Sequence, residues 1–367
     1  MVLLKTNDFD LYIAFSDNII RYNTEDLSDI HVKIQKPAIP DNLKQSQIEV
    51  INKEHRTITS LEFSPSGKYI VVSTENKQII VYDKNFNTIK NMIANRSPSK
   101  ACFTPSDDII IADKTGDVYL YKLQDEENKP VLLLGHLSVI LDIAISDCGK
   151  YIITSDRDEK IRVSHFPNCY NIASYCLGHT EFVNKIQVVN NVLVSASGDG
   201  TIRFWDFLRG TQLGIIDTNI AIEQKDLLHT FFEQMNKEKV EVHALPITDM
   251  QIRVGNITYI AISMYNYDYI HLYCTDFSDF NSKLITKLKV DSAFSFCLSS
   301  NLYVFQNQFS SFKLVNGMVE NIECNLDKLH QKYSSLLTSV DNSGFTVLYK
   351  RKFDNVQEYL ERKKQRS

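Results

Sequence analysis

Residues 195–206 read SASGDGTIRFWD, and Gly178-His179 stands just upstream. A Gly-His pair followed by Ser195, Asp199 and Trp205-Asp206 is the signature of one blade of a WD-repeat β-propeller. Such a blade is a four-stranded antiparallel sheet of roughly 40–45 residues. One blade cannot bury its faces alone, so blades stack around a channel until the ring closes. The polar signature residues staple the blade from inside. His179 bonds Asp199, its other ring nitrogen meets Ser195, and the Trp205 indole closes the network. Buried polar groups need partners, and a half-satisfied set is worse than none. His179, Ser195, Asp199 and Trp205 are therefore read as structural, not catalytic.

The period continues upstream. Ile161 to His165 (IRVSH) matches Ile202 to Asp206 (IRFWD) 41 residues later, and Gly135-His136 precedes Gly178-His179 by 43. His136, Thr154 and Asp158 thus take the staple positions of the earlier blade, with Ser164 in the tryptophan slot. Val118 to Lys122 (VYLYK) and Ile79 to Asp83 (IIVYD) fill the same slot at spacings of 43 and 39. The turn signals Phe63 to Lys68 and Ser146 to Lys150 each precede an apolar strand. Ile19 to Asn23 reads as a third strand lacking the first half of its blade. Ile270 to Tyr273 and Ser311 to Val315 read as further strands, and 335–350 as a hairpin turning at Asn342-Ser343-Gly344. The sum is about seven blades. Strands from the two ends are expected to share a blade, because closure removes exposed sheet edges.

A chain of 367 residues ordinarily suggests two or three domains, but a seven-bladed ring needs roughly 300 residues at this period. The chain therefore reads as an all-β, seven-bladed WD40 propeller over residues 1–350 with a basic tail, 351–367. Aromatic content of 11% suits β-sheet. No apolar run approaches the 18 or so residues of a membrane helix. The N-terminus meets acid too early for a secretory signal. Seven scattered cysteines point to a reducing intracellular compartment. Residues 219–239 place Leu227, Leu228, Phe231, Phe232 and Met235 at helical spacing, which predicts a helix inserted in the ring and packed on its surface. Residues 31–55, with Pro37 and Pro40, predict an irregular connector. The net charge of −5 is uneven: residues 350–367 hold seven bases and three acids, which leaves −9 on the body. A basic arm on an acidic body suits phosphate contact, or serves only solubility.

Chemistry-bearing patterns are few. His165, Cys169, Cys176 and His179 have zinc-ligand types, but the repeat already commits His179 to its blade and puts His165 at the end of a strand. No G-x-G-x-x-G follows a strand, and no G-x-S-x-G occurs. No paired carboxylates stand at equivalent blade positions, as an enzyme at a channel mouth would need. The expected outcome is no cofactor, no metal and no catalysis. A propeller of this kind is a docking surface; a general scaffold, such as a ubiquitin-ligase adaptor or a chromatin-associated protein, is one reading of it.

Three further runs are more specific than the repeat: LGHLSVILDIAIS (134–146), ITSDRDEKIRVSHFP (153–167) and LGHTEFV (177–183). With IIADKTGDVY (110–119) and FDNVQEYL (353–360), they resemble the non-catalytic WD-repeat subunit of the eukaryotic tRNA (guanine-N7-)-methyltransferase. The resemblance is dense over about 100–210 and thin elsewhere. It implies a heterodimer in which a separate subunit binds S-adenosylmethionine. This chain would hold that catalytic subunit in its active form for N7-methylation of guanine-46 in the tRNA variable loop. The location implied is the nucleus, with the cytoplasm as a further possibility, and tRNA would be met indirectly or through the basic tail. It also implies that the charged turn and strand of one blade face the catalytic subunit. Arg162 is the first choice there for an interfacial salt bridge, with Arg157 and Lys160 and the acids Asp156 and Glu159 beside it. Arg pairs carboxylates bidentately, which orients a partner. Lys114 and Lys185 are weaker candidates on neighbouring blades.

Overall fold

The computed structural model describes residues 2–7, 9–37, 45, 48, 49, 56–127, 129–290, 294–306, 308–315, 318–322, 326–334, 336, 337 and 345–350. Seven four-stranded antiparallel sheets follow one another along the chain. They occupy residues 2–33, 58–93, 98–135, 140–176, 183–217, 247–289 and 295–322, here blades 1 to 7. In each, the first strand lines the channel and the fourth forms the outer edge.

Each middle strand is covered on both faces by neighbouring blades, so its sequence is a nearly unbroken apolar run. Tyr151–Asp156 and Gln78–Asp83 are buried at five of six positions each. Outer strands such as Ile172–Cys176 stay largely exposed. The apolar cores therefore lie between blades. Ile153, Ile161 and Val163 of blade 4 interlock with Val183, Leu193, Trp205 and Phe207 of blade 5. The two flanking strands foreseen beyond residue 245 exist, as Tyr269–Thr275 and Phe309–Val315.

The inserted helix is α1, Lys225–Lys237, set in the loop between blades 5 and 6. It buries Phe231 and Met235 against the ring and leaves its charged side wet. The connector begins after Lys33, since Asp29–Lys33 is the outer strand of blade 1. Residues 38–44, 46, 47 and 50–55 of that connector lie outside the described residues.

Three expectations are corrected. Asn18–Asn23 is the third strand of a complete blade, preceded by Val2–Asn7 and Asp10–Phe15. No blade is shared between the chain ends, because every sheet is built from four consecutive strands. Closure is instead made by a second helix, α2, Leu326–Tyr333, which follows blade 7. Its Leu326, Leu329 and Tyr333 pack into the core that holds Leu4, Leu11 and Ile13 of blade 1 with Phe305 and Phe309 of blade 7. The Tyr333 hydroxyl donates to Asp29 Oδ2 at 2.5 Å, and Lys332 Nζ pairs with the same oxygen at 2.7 Å. Helix packing thus covers the seam that a shared strand was expected to cover. Finally, Phe345–Leu348 is a short 3-10 helix, not the return strand of a hairpin; Asn342-Ser343-Gly344 lie outside the described residues.

Candidate functional site

In blade 5 the staple forms as read. Burial keeps the His179 imidazole below its ordinary pKa, so the ring is neutral near pH 7. It then donates through Nδ1 to Asp199 Oδ2 at 2.9 Å and accepts the Ser195 hydroxyl at Nε2, 2.7 Å away. Trp205 Nε1 donates to the same Ser195 oxygen at 2.8 Å. Burial pushes the Asp199 carboxyl up, but the hydrogen bond and charge of His179, with Thr201 and the Thr180 amide, draw it down to about 2. Every polar group of the set is used internally.

Blade 4 departs from the reading in one residue. His136 Nδ1 meets Asp156 Oδ2 at 2.9 Å and its Nε2 meets Thr154 Oγ1 at 2.8 Å. Asp156, not Asp158, is the staple acid. Thr154 and Asp156 lie two apart on one strand, so they share a face that the histidine can span. Asp158 stands out in the turn, 3.4 Å from Lys350 Nζ. The turn itself keeps the repeat register: Glu159 has φ +69° where Gly200 has +73°.

The charged residues singled out for docking separate into five places. Asp156 is inside the staple. Lys185 points into the channel, where it pairs with Asp249 at 2.8 Å, so it is not available to a partner on the outside. Arg157 clasps the C-terminal segment, donating from Nε to Leu348 O at 2.8 Å and from a terminal nitrogen to Tyr349 O at 3.1 Å. Glu159 pairs with Lys350 at 2.7 Å. Burial, then the charge of Glu159, pushes the neighbouring Glu181 carboxyl up to about 7. Arg162 bonds Ser164 Oγ at 2.9 Å, Cys169 O at 2.9 Å and Gly135 O at 3.3 Å. The small Ser164 in the tryptophan slot is what receives it. Lys160 and Lys114 are exposed on the turns of blades 4 and 3, with no ion pair among the described residues.

Beside this turn lies a surface the sequence did not disclose. Tyr170 (81% exposed), Ile172, Tyr175 and Leu177 crowd the outer edge of blade 4. Leu137, in the loop leading into that blade, is wholly exposed. Leu208, Leu213 and Ile215 of blade 5 and Val131 and Leu132 of blade 3 are exposed as well. Blades 4 and 5 are tied at this edge by the Ser174 hydroxyl, which donates to Phe207 O. Several exposed apolar groups along one sheet edge make a candidate protein-binding surface. In sequence, YNIASYCL is an ordinary outer strand; only the ring shows that it is left exposed among the described residues.

His165, Cys169, Cys176 and His179 are not brought together. Cys169 packs between blades 3 and 4, and Cys176 between blades 4 and 5, on opposite faces of one sheet. Burial pushes their thiols up to about 11 and about 12. Among the described residues no group of three His, Cys, Asp or Glu is placed to hold a metal. The first strands do carry charges at matching positions, which corrects the sequence reading: Lys5, Glu62, Lys100, Asp142, Lys185 and Asp249 face the channel. Their signs alternate, so lysines separate the carboxylates. Burial raises Glu62, but Lys100 and Lys5 bring it down to about 2. These are compensated ions, not an acid–base pair.

Comparison with known proteins bears on what docks here. The family described as the tRNA methyltransferase TRM82 WD40 domain matches residues 23–131 and 124–292. A Drosophila melanogaster protein named tRNA (guanine-N(7)-)-methyltransferase non-catalytic subunit wuho is 30% identical over 324 residues, covering 84% of this chain and 74% of its own. A Dictyostelium discoideum protein named as the wdr4 non-catalytic subunit of the same enzyme is 35% identical over 200 residues, covering 48% and 43%. A mouse counterpart, WDR4, is 40% identical over 188 residues, covering 50% and 45%. The chain thus spans under half the length of the latter two relatives. Among solved structures, the Cps50 (Swd1) β-propeller domain of Myceliophteria thermophila superposes with a TM-score of 0.61 at 11% identity, covering 87% of this chain and 94% of that one, a likeness of fold alone. The family match extends across residues 23–292, most of the propeller, and on that ground the chain belongs to the tRNA methyltransferase TRM82 WD40 domain family.

Proposed function

We propose that this chain is the non-catalytic subunit of a tRNA (guanine-N7)-methyltransferase. It binds a separate catalytic subunit and stabilises that subunit's active form. The observation that carries this reading is blade 4: an uncovered apolar edge beside a charged turn, on a sheet whose histidine and acid are consumed by the staple. The relatives' names supply the identity of the occupant. Tyr170, Ile172, Tyr175 and Leu177 provide desolvated contact, while Lys160 and the Arg162 strand provide orientation. A rigid propeller can bias an enzyme toward one conformation only by binding that conformation more tightly.

The same reading assigns tRNA to the assembled pair, with guanine-46 of the variable loop as the target and the nucleus as the main site of action. The basic residues after Lys350 add a phosphate contact. Lys350 itself sits at the blade 4 turn, paired with Glu159.

Co-expression with the catalytic subunit tests the proposal. The expected result is a one-to-one complex that methylates tRNA, with each chain nearly inert alone. Methyl transfer by this chain by itself, or recovery from extract of many substoichiometric partners in place of one methyltransferase, would overturn it.

A further inference from the structure

Going round the channel, the first strands of blades 1 to 6 present Lys5, Glu62, Lys100, Asp142, Lys185 and Asp249 in turn. Lys5 reaches Glu62 at 3.0 Å, and Lys100 reaches Glu62 at 2.8 Å and Asp142 at 3.6 Å. Asp142 Oδ2 accepts the Ile186 amide of blade 5 at 2.9 Å, and Lys185 pairs with Asp249 of blade 6 at 2.8 Å. Each seam from blade 1 to blade 6 is therefore bridged by a formal charge.

Two alternating signs close on an even number of members, and the ring has seven. The odd place falls on blade 7, where Cys297 stands, within electrostatic reach of both Lys5 and Asp249. A cation there would face Lys5, and an anion would face Asp249. Toward the channel the two seams of blade 7 carry no ion pair among the described residues, and the formal charge that crosses from blade 6, Arg253 donating to Ser300 O at 3.1 Å, is exposed. Gln251 donates to Phe296 O at 2.8 Å and accepts the Leu298 amide at 2.9 Å. Ser295 donates to Val2 O at 2.5 Å, and Thr6 meets the Cys297 thiol at 3.5 Å. The first strand of blade 7, Ser295–Leu298, has four residues, whereas its counterparts have six or seven. What holds this blade from outside is α2, through Lys332 and Tyr333 on Asp29.

We propose that blade 7 is a separately opening unit: blades 1 to 6 are held as one body by the alternating channel charges, and blade 7 is retained by neutral channel contacts, one exposed bond from Arg253 and the α2 clasp. Severing a buried charge from its partner costs more than severing a neutral hydrogen bond. Local opening begins where such constraints are fewest.

Hydrogen exchange of the intact chain, resolved by peptide, tests this. In the wild type, amides of 295–305 should exchange at least tenfold faster than those of 151–156 in blade 4. Asp29→Asn should accelerate 295–322 by at least a further tenfold and leave 98–121 within twofold. Glu62→Gln should do the reverse, loosening blades 1 to 3 and sparing blade 7. Equal protection of blades 4 and 7 in the wild type, or acceleration of all blades alike by Asp29→Asn, would overturn the proposal. If Asp29→Asn does not fold, the wild-type comparison alone decides.

Discussion

His136 settles a choice between two aspartates. Its ring spans Thr154 and Asp156, which share a strand face, and ignores Asp158 two residues on. Asp156→Ala takes the partner from the imidazole Nδ1 in a buried site and should cost about 3 kcal/mol by urea unfolding. Asp158→Ala removes only a half-exposed ion pair and should cost under about 1 kcal/mol. Equal losses from the two variants would restore the original assignment. A different buried histidine predicts pH dependence. His271 is fully buried, 3.2 Å from the Tyr267 hydroxyl and 3.3 Å from that of Tyr273. Burial, then the charge of Lys287, lowers its pKa from 6.5 to about 4. The unfolded chain therefore binds the proton first as pH falls, and the stability from a neutral ring, complete above 6.5, is lost between 6.5 and about 4. Glu181 acts oppositely, because its raised pKa makes the folded chain the better proton binder between 4.5 and about 7. His271→Gln should flatten the acid loss, and Glu181→Gln the decline toward neutrality; denaturant midpoints across pH 4 to 7.5 check both. None of these environments could be read from one sequence, because spacing along the chain does not show which groups lose water.

At the scale of elements, turns carry the repeat more faithfully than the signature residues do. Lys77, Gly116, Glu159 and Gly200 all have positive φ at the turn between the second and third strands of their blades. Crowding also excludes a side chain at Gly116, where a Cβ would lie 2.6 Å from Ser138 O, and at Gly200. A Cβ at Gly200 would lie 2.8 Å from Ala244 Cβ and 3.0 Å from Leu245 O, and it would press on the Asn219 amide. Gly200→Ala should therefore cost at least 1–2 kcal/mol from backbone strain alone, read as a lowered melting temperature. Glu159→Gly, at the matching position with an existing side chain, should be neutral or mildly stabilising, and the opposite ranking would refute the equivalence. The helix at Lys225–Lys237 is legible because its apolar residues recur at helical spacing from Leu227 to Met235, about two and a half turns. In the stretch 335–350, read as a hairpin, the described residues Phe345–Leu348 form a 3-10 helix. Phe345 and Tyr349 pack against Phe182 rather than pairing as a strand. A short alternating stretch cannot reveal that its partner surface is another blade's loop.

At the scale of the molecule, the docking edge of blade 4 makes the proposed function open to a clean test. Tyr170 and Leu177 are exposed, so Tyr170→Glu with Leu177→Glu should leave the melting temperature within about 2 °C, as surface substitutions away from special features do. The same pair should weaken assembly with the catalytic subunit by at least tenfold, since charge at a desolvated interface centre is strongly unfavourable. Size-exclusion chromatography of the co-expressed chains reads the result; undiminished assembly would move the interface elsewhere. Arg162→Glu is a poorer probe, because it also breaks two hydrogen bonds within blade 4 and one to Gly135 of blade 3. The sequence by itself determined the repeat, the number of blades, the inserted helix and the internal use of His179 and Asp199, because these follow from local spacing and from the partner needs of buried polar groups. Only the tertiary structure decided how the ring closes, which charges meet across the channel, and which apolar edge is left uncovered, because each depends on residues far apart in the chain that meet only when seven sheets are packed around one axis.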